Sequence, residues 1–252
     1  MVDEISSKGL IFDAGPIINF TLNNLLWVLP RLKHTSGLRF YITKGVKEEL
    51  IDRPLRTKKY KLEALQILPH IVEGTIEIID TPQIHALSEE LEALLNNAMV
   101  AKGHAVNIVQ KGELTAMAAY LLYDLQALVV DERTTRHLIE TPSRLQNRMK
   151  RKLHTAVTWK TGALPQIKKK LSKIRCLRSV ELVSVAYNKG FFCHYTHDCP
   201  AVRVPDIDDQ LLEGLLWALK LNGCAISEQE VKDIYLTVRK TKKSCSIDKV
   251  LK

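Results

Sequence analysis

The segment GELTAMAAYLLYDLQALVVDE, residues 112–132, decides the fold. Its first half places Leu114, Met117, Ala118, Leu121 and Leu125 at helical spacing, which predicts a helix that buries one face. Its second half, ALVV, is a near-continuous apolar run, the mark of a strand covered on both sides rather than one with a wet face. That strand ends on two carboxylates, Asp131 and Glu132. The same ending occurs in GLIFDAGPII, residues 9–18, where Leu10, Ile11 and Phe12 run into Asp13 before Ala14, Gly15 and Pro16 break the run.

Working outward, strands and helices alternate. PIINFTLNNLLWVLPRL (16–32) predicts a helix with Pro16 near its first turn, where a missing N–H costs little. LRFYIT predicts a second strand, KGVKEELI a short helix carrying Glu48 and Glu49, YKLEALQILPHI a helix and TIEIID a strand. SEELEALLNNAMVAK (88–102) predicts a helix with Ser88 as its N-cap. VELVSVAYN (180–188) predicts one more strand, and two helices close the chain. In the last of these, Ser227 and Glu230 have capping-box spacing. The expectation is an α/β fold with a central parallel sheet covered by helices.

Charge is unevenly spread. The net charge is +9, yet residues 141–180 hold 12 Lys or Arg and no Asp or Glu, which leaves the remainder at −3. A slightly acidic body carrying one basic segment predicts a polyanion partner, against the blander reading of a solvated helical face. The side chains expected to meet a nucleic acid are Arg144, Arg148, Lys150, Arg151, Lys152, Lys168, Lys169 and Lys170. No apolar run approaches the roughly 20 residues that a membrane helix requires. The opening MVDEISSKGL is acidic and has no apolar signal core. Five cysteines without a CxxC pair suit a reducing compartment, so the expected location is cytoplasmic.

In an open parallel sheet, sites form at the carboxyl ends of the strands. Asp13 and Asp131 stand at two such ends, Glu113 opens the helix before the Asp131 strand, and Glu49 lies on the helix after the second strand. Singly, each has a structural reading: Asp13 as an N-cap, Glu113 as a first-turn dipole partner, Glu48 and Glu49 as a solvated face. Together they would repel one another unless a cation is shared. Oxygen donors without clustered His or Cys suit Mg²⁺ or Mn²⁺, which can activate water against a phosphodiester.

In this order, IFDAGPII, ITKGVKEEL and KGELTAMAAYLLYDLQALVVDERTTRHL resemble a PIN domain, the metal-dependent nuclease family that includes the VapC-type toxins. The resemblance covers roughly residues 8 to 140 and implies a PIN-like three-layer α/β/α fold. It implies a catalytic set of Asp13, Glu49, Glu113 and Asp131, with Glu132 beside Asp131 as a further metal ligand, and a Mg²⁺- or Mn²⁺-dependent endoribonuclease acting in RNA processing or turnover. Gly15 stands where the family commonly has a Ser or Thr hydroxyl, and the chain is longer than the compact toxins. A catalytically silent PIN fold that binds RNA or a ribonucleoprotein, and a VapC-type toxin, are the alternatives. The implied organisation is a nuclease core over residues 1–140, a basic helical insertion over 141–180, and a last strand with C-terminal helices over 181–252. A homodimer or a ribonucleoprotein complex is left open.

CHYTHDC places Cys193, His194, His197 and Cys199 within seven residues. The spacing is that of no zinc ribbon or finger, and four ligands so close would strain a tetrahedral site, so an ordinary loop is expected. GxxxxGK[ST] and GxGxxG are both absent, which sets aside the common nucleotide-binding loops.

Overall fold

A computed structural model describes residues 5–196 and 204–241. The strands are β1 (Gly9–Phe12), β2 (Arg39–Thr43), β3 (Glu77–Ile79), β4 (Met99–Ala101), β5 (His104–Ala105), β6 (Ala127–Val129), β7 (Val157–Trp159) and β8 (Cys176–Leu177). Five of them form a parallel sheet in the order β3-β2-β1-β6-β8, with Leu10 in register with Phe40 and Ala127, and Phe12 with Val129. Asp13 and Asp131 therefore leave adjacent strands at the same edge of the sheet.

Side-chain alternation divides the interior in two. Leu10, Phe12, Phe40 and Ile42 point to one face, under helices Ala14–Leu22, Val28–Ser36, Lys61–Val72, Ser179–Asn188, Ile207–Leu221 and Glu228–Thr241. Ile11, Tyr41, Leu128 and Val130 point to the other, under helices Pro82–Leu95, Lys111–Tyr123, Arg133–Glu140, Pro142–Leu153 and Ala163–Leu171. Helices on both faces of a parallel sheet give the expected three-layer α/β/α arrangement.

Several elements differ from the sequence reading. Residues 16–32 are not one helix: the first ends at Leu22, and Asn24 takes a left-handed conformation (φ 54°) before the next begins at Val28. Asparagine tolerates that conformation better than most residues, and Asn23 donates back to the Asn19 carbonyl at 2.8 Å. Ser88 is no N-cap but a buried residue within helix Pro82–Leu95; Thr81 accepts the cap bond from Ile84, with Pro82 in the first turn. The tail of that segment, Met99–Ala101, is strand β4.

VELVSVAYN is helix Ser179–Asn188 and not a strand. Its three valines and tyrosine favour a strand by residue type, but Val180, Val183 and Tyr187 share one helical face and are buried together. Glu181 accepts from the Arg178 amide at 2.7 Å and fixes the helix start. The fifth strand of the sheet is Cys176–Leu177, at the end of the basic segment, so the described part of residues 181–252 contributes helices and no strand. The basic segment does contain two helices, Pro142–Leu153 and Ala163–Leu171, but between them β7 pairs antiparallel with β4. That pairing ties the segment to the body of the protein.

Candidate metal centre and the adjoining basic cleft

Asp13 stands where β1 becomes helix Ala14–Leu22, and its own N–H donates to the Val129 carbonyl at 2.9 Å. It occupies the N-cap position, and the Ala14 and Gly15 amides draw its pKa down, yet its carboxylate accepts no cap hydrogen bond. Burial is the larger influence, and repulsion from Glu113 and then Glu49 adds to it, lifting the pKa from 3.8 to about 8. Capping alone does not account for this residue.

Glu49 is carried by a π-helical turn, Glu48–Asp52, that follows helix Lys44–Lys47. The Thr43 and Thr115 hydroxyls meet at 2.7 Å, and a Cβ on Gly45 would stand 3.1 Å from Thr115 Oγ1. These contacts dock the turn on helix Lys111–Tyr123 and bring Glu49 to that helix's N-terminus, where the Gly112 amide faces its carboxylate. A Cβ at Gly112 would lie 2.7 Å from Glu49 Oε1, so the glycine makes the approach possible. Burial nonetheless raises the Glu49 pKa, opposed by Arg53.

Glu113 is the third residue of helix Lys111–Tyr123. Its Oε2 accepts from the Gln110 amide at 2.9 Å and its Oε1 from the Thr135 hydroxyl. Burial raises its pKa, with Glu132 and Glu49 adding repulsion. The first-turn role foreseen for it is real, and it coexists with membership of the acidic cluster.

Asp131 is bound differently. It is 2 % exposed; Oδ1 accepts from the Ser179 amide at 2.8 Å, and Oδ2 accepts from Ser179 Oγ at 2.7 Å and Asn19 Nδ2 at 3.1 Å. Ser179 opens a helix, so the charge also faces a helix N-terminus. Glu132 caps helix Arg133–Glu140 by accepting from the Thr135 amide at 2.9 Å, and its other oxygen lies 3.7 Å from Arg148.

These residues share one cleft of about 450 Å³, whose walls include Asp13, Gly15, Glu49, Glu113, Asp131 and Glu132. The far wall is Gly223 and Ala225, from the turn between the last two helices, held by an Ala225 N–H to Asp131 carbonyl bond of 3.1 Å. Among the described residues no three Asp, Glu, His or Cys side chains stand close enough, as they are placed, to share one metal ion. The donor set itself suits a hard divalent cation: three partly buried carboxylates, two of them lifting the pKa of the third.

Beside this cleft lies a second, of about 740 Å³, lined by Arg133, His137, Arg144, Asn147, Arg148, Arg151 and Lys152. Arg133 and Lys152 line both. Burial and then the surrounding arginines hold the His137 pKa below its ordinary value. Of the side chains expected to meet RNA, Arg144, Arg148, Arg151 and Lys152 are thus brought together. Lys150 is exposed and lines neither cleft; Lys168, Lys169 and Lys170 sit on helix Ala163–Leu171, where Lys170 pairs with Glu90 at 2.7 Å.

Sequence reasoning passed over Asn19, Ser179, Thr135, Arg133 and His137. A polar residue at the centre of the apolar run PIINF was the available signal for Asn19, because a buried amide needs partners. For Ser179 no local signal exists, since its partner lies 48 positions away. In the CHYTHDC stretch, Cys193–Tyr195 forms a single turn and the His194 ring packs on Trp27 and Tyr195, while His197 and Cys199 lie outside the described residues.

Among known proteins the chain matches no family, no curated sequence and no solved structure.

Proposed function

We propose that this protein is a PIN-type, divalent-metal-dependent endoribonuclease, with the acidic cleft as its reaction centre and the basic cleft as the seat of the RNA backbone. The observation that carries the reading is the adjacency of the two clefts, which share Arg133 and Lys152. A polyanion lying along the arginines would present a phosphodiester to the carboxylates. Asp13, Glu49 and Glu113 would hold the metal. Bound there, Mg²⁺ or Mn²⁺ supplies charge against a phosphoryl oxygen and a water of lowered pKa.

The chain's own residues divide the remaining work. Thr135 and the Gln110 amide orient Glu113, and the Gly112 amide orients Glu49. Arg133 and Lys152 neutralise phosphate at the boundary between the clefts. Asp131, already bonded to Ser179 and Asn19, positions the cleft wall.

The test is cleavage of a labelled structured RNA with Mg²⁺ or Mn²⁺. Asp13→Asn and Glu113→Gln should each lower the rate by about a hundredfold or more while RNA binding persists. A second reading, a catalytically silent PIN fold that binds RNA, is favoured by the engaged state of Asp131 and by the absence of a hydroxyl at Gly15. Wild-type protein that binds RNA and cuts with neither metal would select it.

A further inference from the structure

Helix Lys61–Val72 is apolar on two sides. Ala64 and Ile67, each 1 % exposed, turn into the core with Ile71 packed beside them. On the outer side Leu62, Leu65, Leu68 and Val72 are 65 %, 50 %, 37 % and 77 % exposed. At 100° per residue these four and Pro69 fall on one stripe. Ile78 lies on the same face of the sheet, since it is in register with the core residue Ile42, and it too is exposed, on edge strand β3. Only the side holding Glu63, Gln66 and His70 is polar, so the helix presents more apolar surface than the core covers.

We infer that this stripe packs against the same stripe of a second copy of the chain, the two helices antiparallel about a twofold axis near Ile67. The sequence KLEALQILPHIVE is self-complementary in that arrangement. Reversal about position 67 sets Leu62 against Val72, Leu65 against Pro69, and Lys61 against Glu73. Lys58, Lys59 and Lys61, all exposed, gather at the helix N-terminus. The antiparallel partner brings Glu73 and the helix's C-terminal carbonyls to them, so charge and dipole both favour this orientation. A parallel pairing would set lysine against lysine. The leucines and Ile78 would form the dry centre of the interface, with the charged ends as its rim.

Sedimentation of the full-length protein without RNA, over a hundredfold range of concentration, tests this. The wild type should form a dimer. Leu65→Lys should weaken it by more than about a hundredfold, because each introduced charge is set against the partner's apolar Pro69 in a desolvated patch, about one helical turn from the other. Lys61→Glu should weaken it by roughly threefold to tenfold, as should Glu73→Lys, and the double variant should return it to near the wild-type value. Leu65 and Lys61 are exposed, and far-ultraviolet circular dichroism checks that each variant is folded. A wild-type monomer at every concentration overturns the inference and leaves the stripe to a different protein. A dimer indifferent to Leu65→Lys, or a double variant that is not restored, overturns it equally.

Discussion

Asp13 and Asp131 end adjacent parallel strands and line the same cleft, yet their surroundings differ sharply. Three donors, from Ser179 and Asn19, converge on Asp131, and a helix N-terminus faces it. Asp13 has two backbone amides nearby without a cap bond, and two glutamates that repel it. A buried carboxylate with its full set of donors is structural, because removing it strands those donors. One that is buried among other carboxylates is held against its own interest, an arrangement that a shared cation would relieve. In the proposed reaction, the contrast separates the part of the acidic cleft that builds the wall from the part that would face the substrate.

Breaking the Asp131 side should have the largest effect. Asp131→Ala leaves the Ser179 amide, the Ser179 hydroxyl and the Asn19 amide without their acceptor in a dry interior. The expected loss is about 3–5 kcal/mol of unfolding free energy, read from denaturant midpoints. Asn19 also donates to the Leu219 carbonyl at 3.0 Å, so the damage should extend to the packing of the last two helices. A loss under about 1 kcal/mol would mean that the node is not structural.

Asp13→Asn should act in the opposite direction and by less. The folded protein raises the Asp13 pKa from 3.8 to about 8. Between those values the folded state keeps a proton that the unfolded chain has released, so stability falls as pH rises through the window. Asparagine removes that dependence. The variant should match the wild type below the window and exceed it above, by on the order of 2 kcal/mol, in denaturation measured as a function of pH. Added Mg²⁺ or Mn²⁺ should raise the melting temperature of the wild type in alkaline solution and have little effect on the variant. If the two proteins have parallel pH profiles, the repulsion assigned to the cluster is absent.

How far the sequence discloses this division depends on distance along the chain. The parallel sheet was legible because apolar runs such as ALVV and LIF are themselves its buried strands. Asp13, Glu113 and Asp131 were legible as candidates because each sits at a strand or helix end, a feature that local pattern reveals; Glu49, inside its helical run, was picked out by its order among them. Their different fates were not. Asp131 is satisfied by residues 48 positions later and 112 earlier, and Asp13 is strained by residues on two other elements. Helix Ser179–Asn188 was misread for a related reason: its β-branched valines favour a strand locally, and burial against other helices decides otherwise. The basic run was read as one surface, but of its two helices only Pro142–Leu153 lines the cleft.

Gly112→Ala sharpens the comparison with the smallest structural disturbance. The added methyl would meet Glu49 Oε1 at 2.7 Å, and the obstacle is the mobile end of a side chain rather than backbone. Alanine is also the better helix former by up to about 1 kcal/mol, so the melting temperature should hold or rise slightly. Glu49, however, must swing away from the Gly112 amide and from Asp13. In the proposed reaction that should lower the cleavage rate by about tenfold, with RNA affinity unchanged because the arginine cleft is untouched. Glu49→Gln should lower it at least as far, and combining the two should add little, since both act on one carboxylate. If Gly112→Ala leaves the rate intact while Glu49→Gln abolishes it, Glu49 works from a rotamer other than the one seen here. If neither changes the rate, the metal-binding set contracts to Asp13 and Glu113.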